Sequence, residues 1–176
     1  MSNEEREETL DRVEKKAAAY QYEFAGCAQT LLLPLQQEFD LPGGSEVLKS
    51  ASFFALGIAR MGNTCGALLG GIMAIGLASG RQYFGDPLYA EPDVIDETTG
   101  NPRLLAPVRG FYERFVQEFG STICEEIQAK TLGISYHGST PGGPNELHQA
   151  SAAQCAEHVG KAARLAAEAI MEMPRT

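Results

Sequence analysis

The chain has 176 residues, with 14 Lys and Arg against 23 Asp and Glu, a formal net charge of −9; 44% of it is hydrophobic and 21% charged. That length and those proportions are those of one ordinary globular domain with a single core, which excludes disorder and collagen-like repeats. Nucleic acids and anionic membrane surfaces both select basic patches, so a chain this acidic, with no Lys or Arg cluster, is expected to bind neither.

The segment Met1-Ser2-Asn3-Glu4-Glu5-Arg6-Glu7-Glu8 lacks the basic start and apolar stretch of a secretory signal, so a cytoplasmic location is expected. In that reducing compartment four cysteines are expected to be thiols, metal or cluster ligands or a transient redox pair, not structural disulfides. From Glu4 to Phe24 apolar residues recur at Leu10, Val13, Ala17, Tyr20 and Phe24, the stripe of an amphipathic helix. Gly26 interrupts it, and a second helix restarts at Cys27 through the apolar run to Leu33, where Pro34 is expected to kink or end it. Leu41-Pro42-Gly43-Gly44 reads as a turn, with Ser45 as N-cap of a third helix to about Leu56.

After a break at Gly57 to Gly62, Asn63 or Thr64 is expected to cap a helix over Cys65–Ser79. Its apolar run falls short of the roughly 20 residues a membrane span needs. Its Gly and Ala content fits instead a central helix on which others pack closely. The segment from 81 to 103, rich in Pro, Gly and acidic residues, reads as a long loop: a solvated insertion, or a lid or partner arm. Leu105, Val108, Tyr112, Phe115 and Phe119 form another helical stripe ended by Gly120. Ser121 or Thr122 is expected to cap the next helix, Thr122 and Glu125 having capping-box spacing. A second Gly/Ser/Pro-rich loop, 133–146, carries His137. The last helix, from about Asn145 to Met173, has its stripe at Leu147, Ser151, Cys155, His158, Ala162, Leu165 and Ala169. No segment shows a period-two strand pattern. The expected fold is all-α: a single domain, a bundle of about six or seven helices around the Gly/Ala-rich one.

Cys27, Cys65 and Cys124 each fall at an expected helix start, where unpaired N–H groups and the positive dipole end favour an anion and lower a thiol pKa. Cys155 lies mid-helix on the apolar stripe, pointing into the core. No two cysteines form a Cys-x-x-Cys pair, which argues against a zinc ribbon or a thioredoxin-like site, and there is no c-type haem motif. Gly62, Gly66 and Gly70, spaced by four, leave a smooth patch beside Cys65, either for close helix packing or for an inorganic group held on its sulfur.

In these residues the chain resembles the C_GCAxxG_C_C family of redox-active proteins. The family motif stands intact as Cys65-Gly66-Ala67-Leu68-Leu69-Gly70, led in by Gly57 to Thr64 and continued by Gly71 to Leu77. Cys27, Cys124 and Cys155 fill its other cysteine positions in order, and the resemblance runs from about Tyr20 to Ala167. It implies a redox role for the four cysteines and a fold akin to the split-Soret cytochromes, without implying a particular reaction. The segments 81–103 and 133–146 do not map onto it.

Three readings follow. In the first, Cys27, Cys65, Cys124 and Cys155 converge to bind an iron–sulfur cluster or a soft metal ion for electron transfer, with Gly66 and Gly70 making room for it. In the second, the chemistry is metal-free: Cys65 attacks an oxidant or disulfide and Cys124 resolves the product, which requires two Cα atoms within about 7 Å. In the third, the cysteines are buried core residues. His158, one turn from Cys155, reads first as a core residue, with ligand and proton-donor roles open. His148 and His137 read as helix-start and loop residues. Glu125 or Glu126 would move protons beside Cys124, or simply complement the helix dipole. No nucleotide cofactor is expected, since GxSxG, HExxH, P-loop and GxGxxG fingerprints are all missing. The expected partners are an electron or thiol partner and further copies of the chain, packed through the Gly-rich helix or the long loop.

Overall fold

The computed structural model describes residues 1–81, 83, 105–133 and 143–173, with 132 and 143–154 described by backbone alone. The two expected loops therefore lie outside the described residues except at their edges, as do His137 and the side chains of Leu147, His148 and Ser151. Helix α7 begins at Gly143, so the end of the expected 133–146 loop is helical.

Seven α-helices pack together, and there is no strand among the described residues: α1 Asn3–Phe24, α2 Cys27–Phe39, α3 Gly44–Ser50, α4 Gly66–Ser79, α5 Leu105–Phe119, α6 Cys124–Leu132 and α7 Gly143–Met171. Helix α7 packs on α1, α2, α4 and α5, while α4 packs on α2, α5 and α7. Among the described residues no helix is long and apolar enough to cross a membrane.

Helix α1 starts in a capping box: the Glu5 N–H donates to the Ser2 hydroxyl at 3.2 Å, and the Ser2 N–H donates to the Glu5 carboxylate at 2.6 Å. Its buried stripe is Leu10, Val13, Ala17 and Gln21, so the expected stripe drifts at its end. Phe24 is 63% exposed, because the chain turns away one residue later at Ala25 and Gly26, and it packs only edge-on to Tyr20. The polar Gln21 takes the inward position. Helix α1 is tied to α7 by Arg164, which pairs with Glu7, Asp11 (2.8 Å) and Glu14 (3.3 Å).

Pro34 does not end α2, which runs on to Phe39. Burial of Leu31, Leu32 and Leu35 on both sides of the proline outweighs the ~3 kcal/mol that an interior proline costs. The third helix is shorter than expected and is capped by Gly43, with Ser45 inside it; a 3₁₀ turn, Ser52–Phe54, follows. In α5 the buried residues are Phe111, Phe115 and Phe119, spaced by four, and Tyr112 is exposed. The phenol edge of Tyr112 prefers water, and Phe111 instead meets α4 at Gly71, where an added Cβ would lie 2.3 Å from the ring.

The Gly-rich face of α4 is covered within the chain. A Cβ at Gly70 would stand 2.6 Å from the Ala28 carbonyl oxygen of α2, and one at Gly66 would stand 2.5 Å from the Phe54 carbonyl oxygen and 3.1 Å from the Cys27 Cβ. These glycines serve helix packing. At Gly66 and Gly70 the space beside the helix is taken up by the chain itself.

Candidate functional site

The four cysteines come from four parts of the chain and line one cavity of about 30 Å³. Cys27 and Cys124 are the first residues of α2 and α6, Cys65 is the N-cap of α4, and Cys155 lies within α7. Ala67, Ile127, Gln128, Thr131, His158 and Val159 complete its lining, and the surface they present to it is apolar. Among the described residues no Lys or Arg lines the cavity. All four cysteines are free thiols.

Backbone pairing fixes two of them. The segments before α4 and α6 lie antiparallel, with a bridge between Thr64 and Ile123. The Cys65 N–H donates to the Thr122 carbonyl at 2.8 Å, the Cys124 N–H to the Asn63 carbonyl at 2.7 Å, and the Glu125 N–H to the Gly62 carbonyl at 3.0 Å. This pairing displaces the expected side-chain caps. Neither Asn63 nor Thr64 caps α4, and Thr122 makes no capping box; instead the Ser121 hydroxyl accepts from the Ile123 N–H at 3.0 Å and donates to Glu126.

Cys27 is held from the other side by an unusual turn. Leu56, Gly57, Ile58, Ala59 and Arg60 all have positive φ, at 51°, 74°, 59°, 52° and 64°. A left-handed non-glycine residue costs roughly 1–2 kcal/mol, so the turn is strained. It is held by hydrogen bonds from the Ala59 N–H to the Phe53 carbonyl at 2.7 Å and from the Asn63 N–H to the Gly57 carbonyl at 2.9 Å. Only glycine fits at 57, since a Cβ there would lie 2.5 Å from the Asn63 nitrogen. The turn brings the Leu56 backbone N–H to the Cys27 sulfur.

Helix starts were expected to lower the thiol pKa values. Burial reverses this. The Cys65 thiol is pushed up to about 12, first by burial and then by the charge of Cys27, although the Ala67 and Leu68 N–H groups face its sulfur and favour the anion without making a full cap. Burial also raises Cys27. Cys124 is raised by burial and then by Cys65, Cys27 and Cys155, and Cys155 by burial and then by Cys27 and Cys65. A thiolate at Cys27 therefore opposes ionisation of Cys65, Cys124 and Cys155.

His158 is half-buried, not a core residue. Its ring lies 5.2 Å from that of Phe119, and its Nε2 is 3.1 Å from the Thr131 hydroxyl. That hydroxyl also lies 2.8 Å from the Ile127 carbonyl, so Thr131 links the His158 ring to the backbone of α6. Glu125 and Glu126 are exposed at the start of α6, and the Glu125 charge further raises Cys124. Among the described residues no group of three or more Cys, His, Asp or Glu side chains is set to hold a metal ion as it stands. The donor chemistry nevertheless suits a soft cation: four sulfurs lining one apolar cavity.

Residues 25–169 match the C_GCAxxG_C_C family, whose description reads "Putative redox-active protein". The chain belongs to that family. The match spans all four cysteines and the Gly-rich helix. No curated protein and no solved structure matches the chain.

Two residues at the site escape the sequence reading. Gln21 and Gln128 are buried polar residues: the Gln21 side-chain oxygen accepts from the Thr30 hydroxyl at 2.7 Å, and Gln128 lines the cavity. Their signal is positional. Gln21 continues the apolar stripe of α1 one turn after Ala17, and Gln128 follows Cys124 by one turn of α6.

Proposed function

We propose that Cys27, Cys65, Cys124 and Cys155 together hold an iron–sulfur cluster or a soft metal ion, and that the protein transfers electrons through it. The observation that carries this reading is the convergence of four dispersed cysteines on one cavity with no charged side chain among its other lining residues. Ionisation of Cys65, Cys124 and Cys155 is opposed by the charge of neighbouring cysteines, whereas a bound cation would favour the thiolate form of every sulfur that holds it. A cluster held by four thiolates supplies one-electron chemistry at a potential set by its surroundings. Metal-free attack by Cys65 has less support, because burial keeps that sulfur a thiol at neutral pH.

The test is a visible absorption spectrum, with iron and sulfide assay, on protein purified without oxygen, beside Cys65→Ser. Thiolate-to-iron absorption with iron and sulfide present, lost in C65S, is the expected result. A colourless, iron-free protein with four titratable thiols, and no other soft metal bound, refutes it in favour of thiol exchange or a structural role.

A further inference from the structure

Large apolar side chains left in water cost free energy that folding of the chain alone does not return, so a group of them on one short segment is informative. Phe53, Ile58 and Met61 are 78%, 39% and 63% exposed. One turn carries all three. The Ala59 N–H donates to the Phe53 carbonyl at 2.7 Å, and the Met61 N–H donates to the Ile58 carbonyl at 3.0 Å. The same turn is the strained one: Ile58 is β-branched with a φ of 59°, a conformation that persists only where the surroundings over-determine it. Ile58 thus bears a backbone cost and a solvation cost together, and burial of its side chain does not offset the first. The turn also stands against the sulfur site, since the Phe54 carbonyl lies on Gly66, which in turn lies beside Cys27.

The edge of this apolar face carries both signs of charge. Arg60, exposed between Ile58 and Met61 in the chain, is in no ion pair among the described residues, whereas Arg6, Arg12, Arg114 and Arg164 all are. The exposed Glu125 stands beside Gly62, where an added Cβ would lie 3.0 Å from its Oε2, and among the described residues it too is in no ion pair. A face built for a strongly acidic or strongly basic partner carries the one opposite sign. One cation and one anion flanking an apolar centre instead complement the same face of a second copy, because a two-fold axis repeats every contact between residues i and j as one between j and i. We infer that Phe53, Ile58 and Met61, with Arg60 and Glu125, dock a second copy of the chain in a two-fold dimer, Arg60 of one copy lying opposite the partner's Glu125. A net charge of −9 on each copy opposes association, so the contact falls where the surface is apolar and its charges balance. The dimer covers the turn behind Gly66 and Cys27, and the inference does not depend on the metal-binding role.

The test is sedimentation velocity of the full chain across the micromolar range, with reductant present so that no intermolecular disulfide imitates association. A species of twice 18.9 kDa that dissociates on dilution is expected. Met61→Asp should raise the dissociation constant about tenfold or more, the scale of a residue at the centre of an interface. Tyr112→Asp, at an exposed ring on α5, should leave it unchanged. Arg60→Glu and Glu125→Arg should each weaken the dimer by setting like charges opposite one another. An equimolar mixture of R60E and E125R should restore it, because in the mixed pair each of these contacts again joins opposite charges. A chain that stays at 18.9 kDa throughout leaves the face to some other occupant and overturns the proposal. So does a trimer or larger assembly, a dimer that M61D leaves intact or Y112D breaks, or a mixture no tighter than its separate components. Phe53→Ser serves where M61D does not fold, and an unchanged dissociation constant in F53S overturns the proposal in the same way.

Discussion

Replacing Gly70 by alanine should force apart the two helices that carry the Cys27 and Cys65 ends of the site. The new Cβ would stand 2.6 Å from the Ala28 carbonyl oxygen and 2.9 Å from the Ala28 Cα, both backbone atoms, so no side-chain rotation relieves the clash. Overpacking of this kind costs about 1–3 kcal/mol, with the upper part of that range fitting a backbone contact. Alanine returns up to ~1 kcal/mol of helix propensity. The net loss expected is about 2 kcal/mol, which in a domain of this size lowers Tm by about 4–8 °C. Gly76 on the same helix is the internal control, with nothing within 4 Å of its would-be Cβ. There the propensity term acts alone, and Gly76→Ala should gain about 0.5–1 kcal/mol. Thermal and urea unfolding, followed by far-ultraviolet circular dichroism on metal-free protein, reads both. A G70A chain as stable as wild type, or a G76A chain that loses as much as G70A, would refute the close-packing account of the Gly-rich helix.

Two further outcomes are expected. The Cys65 thiol has its pKa raised from 9.0 to about 12 in the folded chain, so its contribution to stability is complete below pH 9 and is lost as pH rises from 9 toward 12. The urea midpoint of metal-free protein should fall across that window, more steeply than in Cys65→Ser; a midpoint that holds or rises contradicts the burial of the thiol. Phe111→Ala should cost about 3–5 kcal/mol and Tyr112→Ala no more than about 0.5 kcal/mol, since the first ring is fully buried and the second exposed. Equal losses in urea unfolding would return the α5 stripe to Tyr112.

Helix content and the sulfur set were both legible in the amino-acid order, because each rests on local information. The 3.6-residue recurrence of apolar side chains marks α1, α5 and α7, and glycine marks the restart at Cys27. Errors arise where long-range contacts override local preference. Pro34 reads as a kink or an end, and α2 continues through it because its flanking leucines are buried in the core. The local capping candidates Asn63, Thr64 and Thr122 lie in segments whose backbone groups pair with one another instead.

The cysteines show the same division. Sequence alone determined that three of them begin helices or cap them and that the fourth lies within the last helix, since capping and periodicity involve residues only a few positions apart. The dipole argument drawn from that placement has the opposite sign to the thiol shifts in the folded chain. Desolvation and the mutual repulsion of the four sulfurs both depend on which helices surround them, and both outweigh the helix ends. Only the tertiary structure decided that Gly66 is closed off by the Phe54 backbone and Gly70 by α2, that a strained turn carries the Leu56 N–H to Cys27, and that Gln21 and Gln128 are buried. Each of these is a contact between residues far apart in the chain, and no periodicity encodes which distant backbone or amide will fill a given space.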